Sequence, residues 1–427
     1  MTATAPGLWR HRDFLLLWGG QTISEIGSAV TMLALPLAAV TLLHARALEF
    51  GLLQMAATLP YLLVALPAGA IVDRLPRRAT LVWCDVGRAA ALASVPLAAA
   101  SGALTMPQLY LVALVSGVLG VFFDVAYLSY LPSLVTREQL IDGNGKLQTT
   151  HAVSLISGSA LGGGLVALLG AAGAVAVDAV SYLVSVASVL GIRAREPERG
   201  RPPRADGPRS SLRAEIAEGL RFTWADPIMR VLMVSGCHSL VFSSMTSALF
   251  VLFLVRDLHA GAVTVGAVSA LSGAGGLIGA AIAARLITRV GSARVLWLTK
   301  LVFTGAFGLL PLARPPWGLA LAAASGLVGA AAVTVYNVGQ VSYRQAACPP
   351  WLLGRLTATF RWVMWGAMPL GALLGGLLGG LIGVRATLVV SSVGAILGTG
   401  WLFASPLRTL RDLPTPADPA PAGSAAG

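Results

Sequence analysis

Four carboxylates lie inside long apolar runs of this sequence: Glu25, Asp85, Asp124 and Asp178. A charge held in such a run costs about 3 kcal/mol on insertion scales, so these groups must pair, bind a ligand or carry a proton. Glu25 falls near the middle of the first run and is the best-placed proton carrier. Its neutralisation would change how that helix packs; the alternative is a structural carboxylate bonded to a neighbouring helix. Asp85 and Arg88 are three residues apart, on one helical face, and are expected to pair with each other or with the basic loop nearby. Asp178 is expected toward the far end of the sixth run, where it could pair with Arg46 or cap a helix.

The basic loop follows Gly69-Ala70-Ile71-Val72-Asp73-Arg74-Leu75-Pro76-Arg77-Arg78. Gly69 is expected to let two helices approach closely. Asp73 can pair with arginines or face a helix N-terminus. Arg74, Arg77 and Arg78 would anchor the surface, and Asp124 is expected to join Arg74 and Arg78 in a gating network. The alternative is an ordinary basic loop. A second set suits a cavity for large, partly polar ligands: Gln21, Gln54, Tyr61, Asn337, Gln340, Arg361, Trp362 and Trp365. Interhelical bonding or interface anchoring would use the same residue types. His151 reads as a packing residue.

Other chemistries find no support. Lys146 follows Gly145 but precedes Leu147, so no phosphate-binding loop forms there. The five histidines show no metal-binding pattern, and the three cysteines, Cys84, Cys237 and Cys348, stand far apart. No metal, cofactor or enzyme activity is expected.

The elements that must position these residues are membrane spans. Of 427 residues, 56% are hydrophobic and only 11% charged, against roughly a quarter charged in soluble domains. Mean hydropathy is +0.78. Such a chain needs a lipid bilayer as its solvent. Spans are expected at 14–42, 50–71, 79–100, 107–131, 148–170, 173–192, 229–254, 263–287, 294–313, 317–342, 357–382 and 386–405. The first is too long for a cleaved leader, despite Arg10 and Arg12 before it. The net charge of +12 sits in short clusters between spans, which argues against nucleic acid. With both termini inside, twenty-four basic residues fall on the inner side and four on the outer, and Arg88 and Lys300 lie within spans. The expected protein is therefore a multi-pass protein of the cell membrane with cytoplasmic termini.

The expected organisation is a cytoplasmic segment (1–13), a six-helix bundle (14–192), a linker (193–228), a second six-helix bundle (229–405) and a disordered tail (406–427). Within the linker, Leu212, Ile216 and Leu220 have helical spacing and suggest an amphipathic helix on the membrane surface. The halves repeat at a shift of 213 residues. Gly158-Ser159-Ala160-Leu161-Gly162-Gly163 matches Gly371-Ala372-Leu373-Leu374-Gly375-Gly376, Tyr130 matches Tyr343, and Leu140 matches Leu353. Two parallel repeats imply a substrate path between them.

The segment Gly69–Arg78 fits G-x-x-x-D-R-x-x-R-R, and the chain resembles the major facilitator superfamily. Within it, residues 10–405 are similar to the enterobactin-exporter-like and macrolide-efflux-like branch. The carriers are Gly20-Gln21-Thr22-Ile23-Ser24, Phe123-Asp124-Val125-Ala126-Tyr127, Asp178-Ala179-Val180-Ser181-Tyr182 and Tyr336-Asn337-Val338-Gly339-Gln340-Val341. The resemblance implies an all-α membrane fold of twelve transmembrane helices in two pseudo-symmetric six-helix bundles, working as a monomer by alternating access. It implies export of a small-molecule substrate, such as a drug, antibiotic or siderophore, driven by protons. Two positions depart from the family pattern: Ser159 stands where G-P-x-x-G-G has proline, and Gly27-Ser28 stands where Gly-Asp is common. Competing expectations are an uptake symporter on the same fold and a non-transporting membrane sensor.

Overall fold

Apolar runs in lipid must satisfy their own backbone hydrogen bonds, and a helix does so within each segment. The computed structural model describes residue 8 and residues 11–72, 74–136, 139–194, 212–349 and 351–414. Asp73, most of the linker's first part and the tail beyond 414 lie outside the described residues. Among those described no strand occurs.

The first half contains α1 (Arg12–Thr41), α2 (Ala47–Leu63), α3 (Ala65–Val72), α4 (Arg77–Ala100), α5 (Met106–Leu134) and α6 (Leu140–Leu190). A linker helix, α7 (Leu212–Ala225), follows. The second half contains α8 (Pro227–Arg256), α9 (Ala262–Val290), α10 (Ser292–Leu309), α11 (Gly318–Ala347), α12 (Leu353–Ile382), α13 (Val384–Leu397) and α14 (Gly400–Phe403). Ten helical stretches are long and apolar enough to cross a membrane. One of them, α6, holds two spans, and α2 with α3 forms a further one, so the described residues make twelve.

Local chemistry explains the two irregular spans. Pro67 has no N–H to offer the carbonyl of Leu63, and the second span is interrupted between those residues. In α6, Gly170 takes φ 75° and ψ 166° inside an otherwise helical run. That left-handed φ suits glycine, and the chain reverses there, so spans five and six meet without a loop. The fifth span also begins earlier than hydrophobicity suggests, because Lys146 pairs with Asp142 one turn away and extends the helix beyond the apolar run.

Each half begins with an aspartate, and the two are 213 residues apart. The Asp13 carboxylate accepts from the backbone N–H groups of Arg193 (3.3 Å) and Ala194 (2.8 Å), tying the start of α1 to the end of α6. Asp226 caps α8 by accepting from Ile228 (2.8 Å) and Met229 (3.1 Å), ahead of Pro227 at the first helical position. Its second oxygen accepts from Tyr343 (2.9 Å).

Large apolar side chains line the outside. Leu97, Leu168 and Leu381 are 71%, 82% and 79% exposed, which only lipid tolerates on this scale. The linker helix α7 packs on α12 and α8. The Arg355 guanidinium of α12 donates to Glu218 (2.5 Å), and Gly219 brings the α7 backbone against Thr359. The helix is thus a strap on the second half.

Between the halves, α2 packs on α12 and α6 on α9. The closest approach is at the end of the bundle away from the termini. A methyl group added at Gly51 would lie 2.5 Å from the Cα of Gly376, and one added at Gly163 would lie 2.7 Å from the carbonyl oxygen of Ala262. Side chains cannot fit at either place. Arg256 locks the same end by donating to the carbonyls of His44 (3.0 Å) and Ala45 (2.9 Å).

Candidate functional site

Directly beneath this sealed end lies a cavity of about 500 Å³ between the halves. Met32 and Pro36 of α1, Gln54 of α2, Phe250 of α8 and Phe303 and Phe307 of α10 supply much of its wall. Its volume suits a drug-sized molecule. The polar groups are mostly serines. Ser159 donates to the Leu155 carbonyl (2.8 Å), Ser269 to Val265 (2.9 Å) and Ser272 to Val268 (3.3 Å). Each hydroxyl proton is used by its own helix, so the oxygens keep lone pairs for a ligand's donors. Ser159, which replaces the family's proline, is one of these wall residues.

On the side of the termini a second cavity, of about 190 Å³, opens between α2, α5 and α12. Tyr61, Asp124, Arg361, Trp362 and Trp365 line it. The Trp365 ring meets Tyr61 edge-on at 4.9 Å and carries the Arg361 guanidinium 4.4 Å over its face. Trp362 donates its indole N–H to the Leu62 carbonyl (2.9 Å), clasping the two halves.

This opening corrects part of the gate expected from sequence. A Cβ at Gly69 would meet nothing within 4 Å among the described residues, so no helix packs closely on that glycine. Asp124 faces the cavity, where its charged neighbours are Arg88, Glu25, His151 and Arg361, rather than Arg74 or Arg78. Arg78 instead donates to the carbonyls of Val189 (3.2 Å) and Leu190 (2.7 Å), capping the end of α6 where a cation also meets the negative helix terminus. Arg74 is exposed and Arg77 half-buried. The central carboxylate of the motif, Asp73, lies outside the described residues.

A buried polar network runs behind α1 in the first half. Arg88 donates to Asp85, and both are buried. The Arg88 guanidinium sits 4.3 Å from the ring centres of both Phe123 and Tyr182, between α5 and α6. Tyr182 in turn shares a 2.8 Å hydrogen bond with Ser28 of α1. Asp178 is fully buried, accepts from Ser181 (2.9 Å) and stands against Gly27, where an added Cβ would collide with it. It therefore pairs with neither Arg46 nor a helix end: α6 carries it inward onto α1. The Gly27-Ser28 pair is the contact surface for this network.

Glu25 points toward the other side of α1. Its carboxylate accepts from Gln21 (3.2 Å) and lies 3.5 Å from the Nδ1 of His151. The His151 ring is 60% exposed and the Glu25 side chain 21%. His151 is thus a partner of the first-run carboxylate, a role its position in the sequence does not signal.

The expected cavity residues divide among three places. Gln54 faces the central cavity, and Tyr61, Arg361, Trp362 and Trp365 face the open-side cavity. Asn337 and Gln340 line a smaller cavity in the second half, and Gln21 serves Glu25 instead. Sequence reasoning missed the serines, which look like any span residue, and the role of Lys300, which lines that smaller cavity. Its signal was present in its charge inside a span.

Comparison with known proteins follows the same geometry. Residues 1–421 match the model of a family described as transmembrane secretion effector. A multidrug efflux pump of Mycolicibacterium fortuitum, Tap, is 30% identical over 421 residues, covering 96% of this chain and 98% of the pump. Macrolide efflux protein A of Streptococcus pyogenes is 24% identical, covering 90% of this chain and 93% of that protein. In structure, a bacterial homologue of the iron transporter ferroportin in its inward-facing state gives a TM-score of 0.74 at 17% identity, covering 92% and 98% of the two chains. An outward-facing ferroportin homologue gives 0.58 at 16% identity, covering 93% and 100%.

Proposed function

The chain belongs to the transmembrane secretion effector family of major facilitator transporters, and from that premise we propose that it exports amphipathic small molecules, drugs among them, in exchange for protons. One observation carries the reading: a cavity of about 500 Å³ lies between the halves, sealed at one end by glycine contacts and flanked by an opening at the other. A cavity with one closed end and one open end is the ground form of alternating access. The relatives named as multidrug and macrolide efflux pumps support the direction and the substrate class.

The termini and the open end face the cytoplasm on this reading, in keeping with the bias of basic residues, and the protein sits in the cell membrane as a monomer. Substrate enters from the cytoplasm or inner leaflet and rests against Phe303, Phe307 and the serine oxygens. Glu25, with His151 and Asp124 nearby, is the proton carrier reached from the open side. The Asp85, Arg88 and Asp178 network holds α1 and transmits its shift. Asp73, Arg74 and Arg77 would meet the second half once the open end closes, forming the gate only in the other state.

Ethidium efflux from proteoliposomes tests the proposal. With a proton gradient imposed so that protons move against the drug, ethidium should leave its compartment faster than from protein-free vesicles. Collapse of the gradient by an uncoupler should stop net movement. Efflux indifferent to the gradient refutes proton exchange, and no transport of ethidium, macrolide or other amphiphile refutes export.

A further inference from the structure

A lysine inside a span needs a reason to stay charged. Lys300 of α10 is 3% exposed. Its ammonium donates to the Ser235 carbonyl (3.2 Å) and lies 5.2 Å over the Tyr336 ring. Among the described residues no carboxylate comes within ion-pair distance of it. The first half solves the same problem differently. Arg88 occupies the corresponding third span, 212 residues earlier, and is paired with Asp85. The same offset from Asp85 leads to Trp297, an aromatic residue. The third span of the second half thus holds a buried cation with no carboxylate beside it among the described residues.

The surroundings of Lys300 are also unfinished. It lines a cavity of about 120 Å³ with Ser239, Asn337 and Gln340. Ser239 and Gln340 are 7% and 5% exposed, and among the described residues the Ser239 Oγ and Gln340 Oε1 have no hydrogen-bond partner. Buried polar atoms without partners are costly, and two of them facing one cavity beside a buried ammonium point to a group that completes it. The ammonium has spare donors and the Ser239 hydroxyl another, which together match the two oxygens of a carboxylate. Gln340 Oε1 can accept from an N–H or O–H beside it. The cavity is not isolated: Ser243, Phe303 and Val333 line both it and the central cavity.

We propose that Lys300, Ser239 and Gln340 form a subsite for the carboxylate head of an amphipathic substrate whose apolar body occupies the central cavity. This rests on the transport reading and adds to it, within the amphipathic class, a preference for molecules that carry an acid group. The bound carboxylate supplies the anion that the second half lacks.

Binding to the purified full-length protein tests it without requiring transport. Dansylglycine carries a carboxylate, and dansylamide carries the same fluorophore without charge. Fluorescence titration of the wild type should show dansylglycine bound roughly tenfold more tightly, the scale of a charge-assisted hydrogen bond. Lys300→Met should bind the two alike, Lys300→Arg should keep part of the preference, and Ser239→Ala should reduce it several-fold. Equal wild-type affinities, no wild-type binding of dansylglycine, or a preference intact in Lys300→Met overturns the subsite. The wild-type comparison decides even if a variant fails to fold. A preserved carboxylate preference in a protein that moves neither ethidium nor dansylglycine supports the subsite and sinks the transport reading; transport without that preference sinks the subsite alone.

Discussion

Gly51 and Gly376 close the sealed end by backbone contact, so Gly51→Val should pry it open. A Cβ at residue 51 falls 2.5 Å from the Gly376 Cα and 2.7 Å from the Ala372 carbonyl oxygen. Comfortable carbon contacts lie near 3.5–4.0 Å, so α2 and α12 must separate by about 1 Å before the Val methyls are counted. Overpacking of this kind costs about 1–3 kcal/mol. In a state where the ends have parted the cost vanishes, so the whole penalty falls on the closed form. At 1.4 kcal/mol per tenfold, the ratio of open to closed should rise roughly 5- to 150-fold.

A cysteine at Gln54 reads that ratio, since Gln54 faces the central cavity one turn from Gly51. Cys84, Cys237 and Cys348 are first replaced. An impermeant maleimide added on the side away from the termini should then label Gln54→Cys faster, by the same factor, when Gly51→Val is present. Gly380→Val, on α12 with nothing within 4 Å of its added Cβ, should leave the rate unchanged. If Gly51→Val labels at the control rate in folded protein, the glycine contact does not hold the closed end and the population argument fails.

Three further outcomes follow from the described geometry. Arg88→Met leaves Asp85 buried without its partner and should lower unfolding stability by about 3–5 kcal/mol, while Asp85→Asn added to it should recover much of that; a single variant as stable as the wild type in a denaturant titration would show the pair to be dispensable. Glu25→Gln should abolish pH-driven efflux but spare exchange of labelled for unlabelled substrate, and His151→Ala should slow the driven mode alone; driven transport surviving in Glu25→Gln would make Glu25 structural. Trp362→Phe removes the bond to the Leu62 carbonyl, worth about 1 kcal/mol, and should raise labelling of Gln54→Cys from the far side roughly fivefold; an unchanged rate would mean the clasp does not favour the present state.

What could be read from sequence was periodic or local. The spans and the repeat are carried by hydrophobicity and spacing. Asp85 and Arg88 are three residues apart, so one helix face joins them wherever the helix goes. Ser28 and Tyr182, or Glu25 and His151, are joined only because α1 packs on α6, and no local pattern announces that register. The serine wall was invisible for another reason: a span serine bonded to its own helix looks the same whether it faces lipid, a neighbour or a cavity. The gate residues depend on conformation as well as fold. Gly69 would become a contact only if the open end closed, so what the motif does depends on the state as well as on the sequence.

The repeat also hides a division of labour. Both halves place a basic residue in the third span, yet only Arg88 has its carboxylate. The first half holds the titratable cluster of Glu25, His151 and Asp124 on the open side, while the second presents Lys300, Ser239 and Gln340 beside the central cavity. On the proposed reading, the first half handles protons and the second recognises substrate. The two must then communicate, and α1 is placed to do it. Glu25 is seven residues, about 10 Å, from Met32 along one continuous helix, and Met32 and Pro36 are cavity wall. Ser28 and Gly27, between them, seat that helix on Tyr182 and Asp178. On that reading a proton taken up at Glu25 would weaken its hold on His151 and free one end of a rigid rod, and the other end of that rod would be the surface against which the substrate rests.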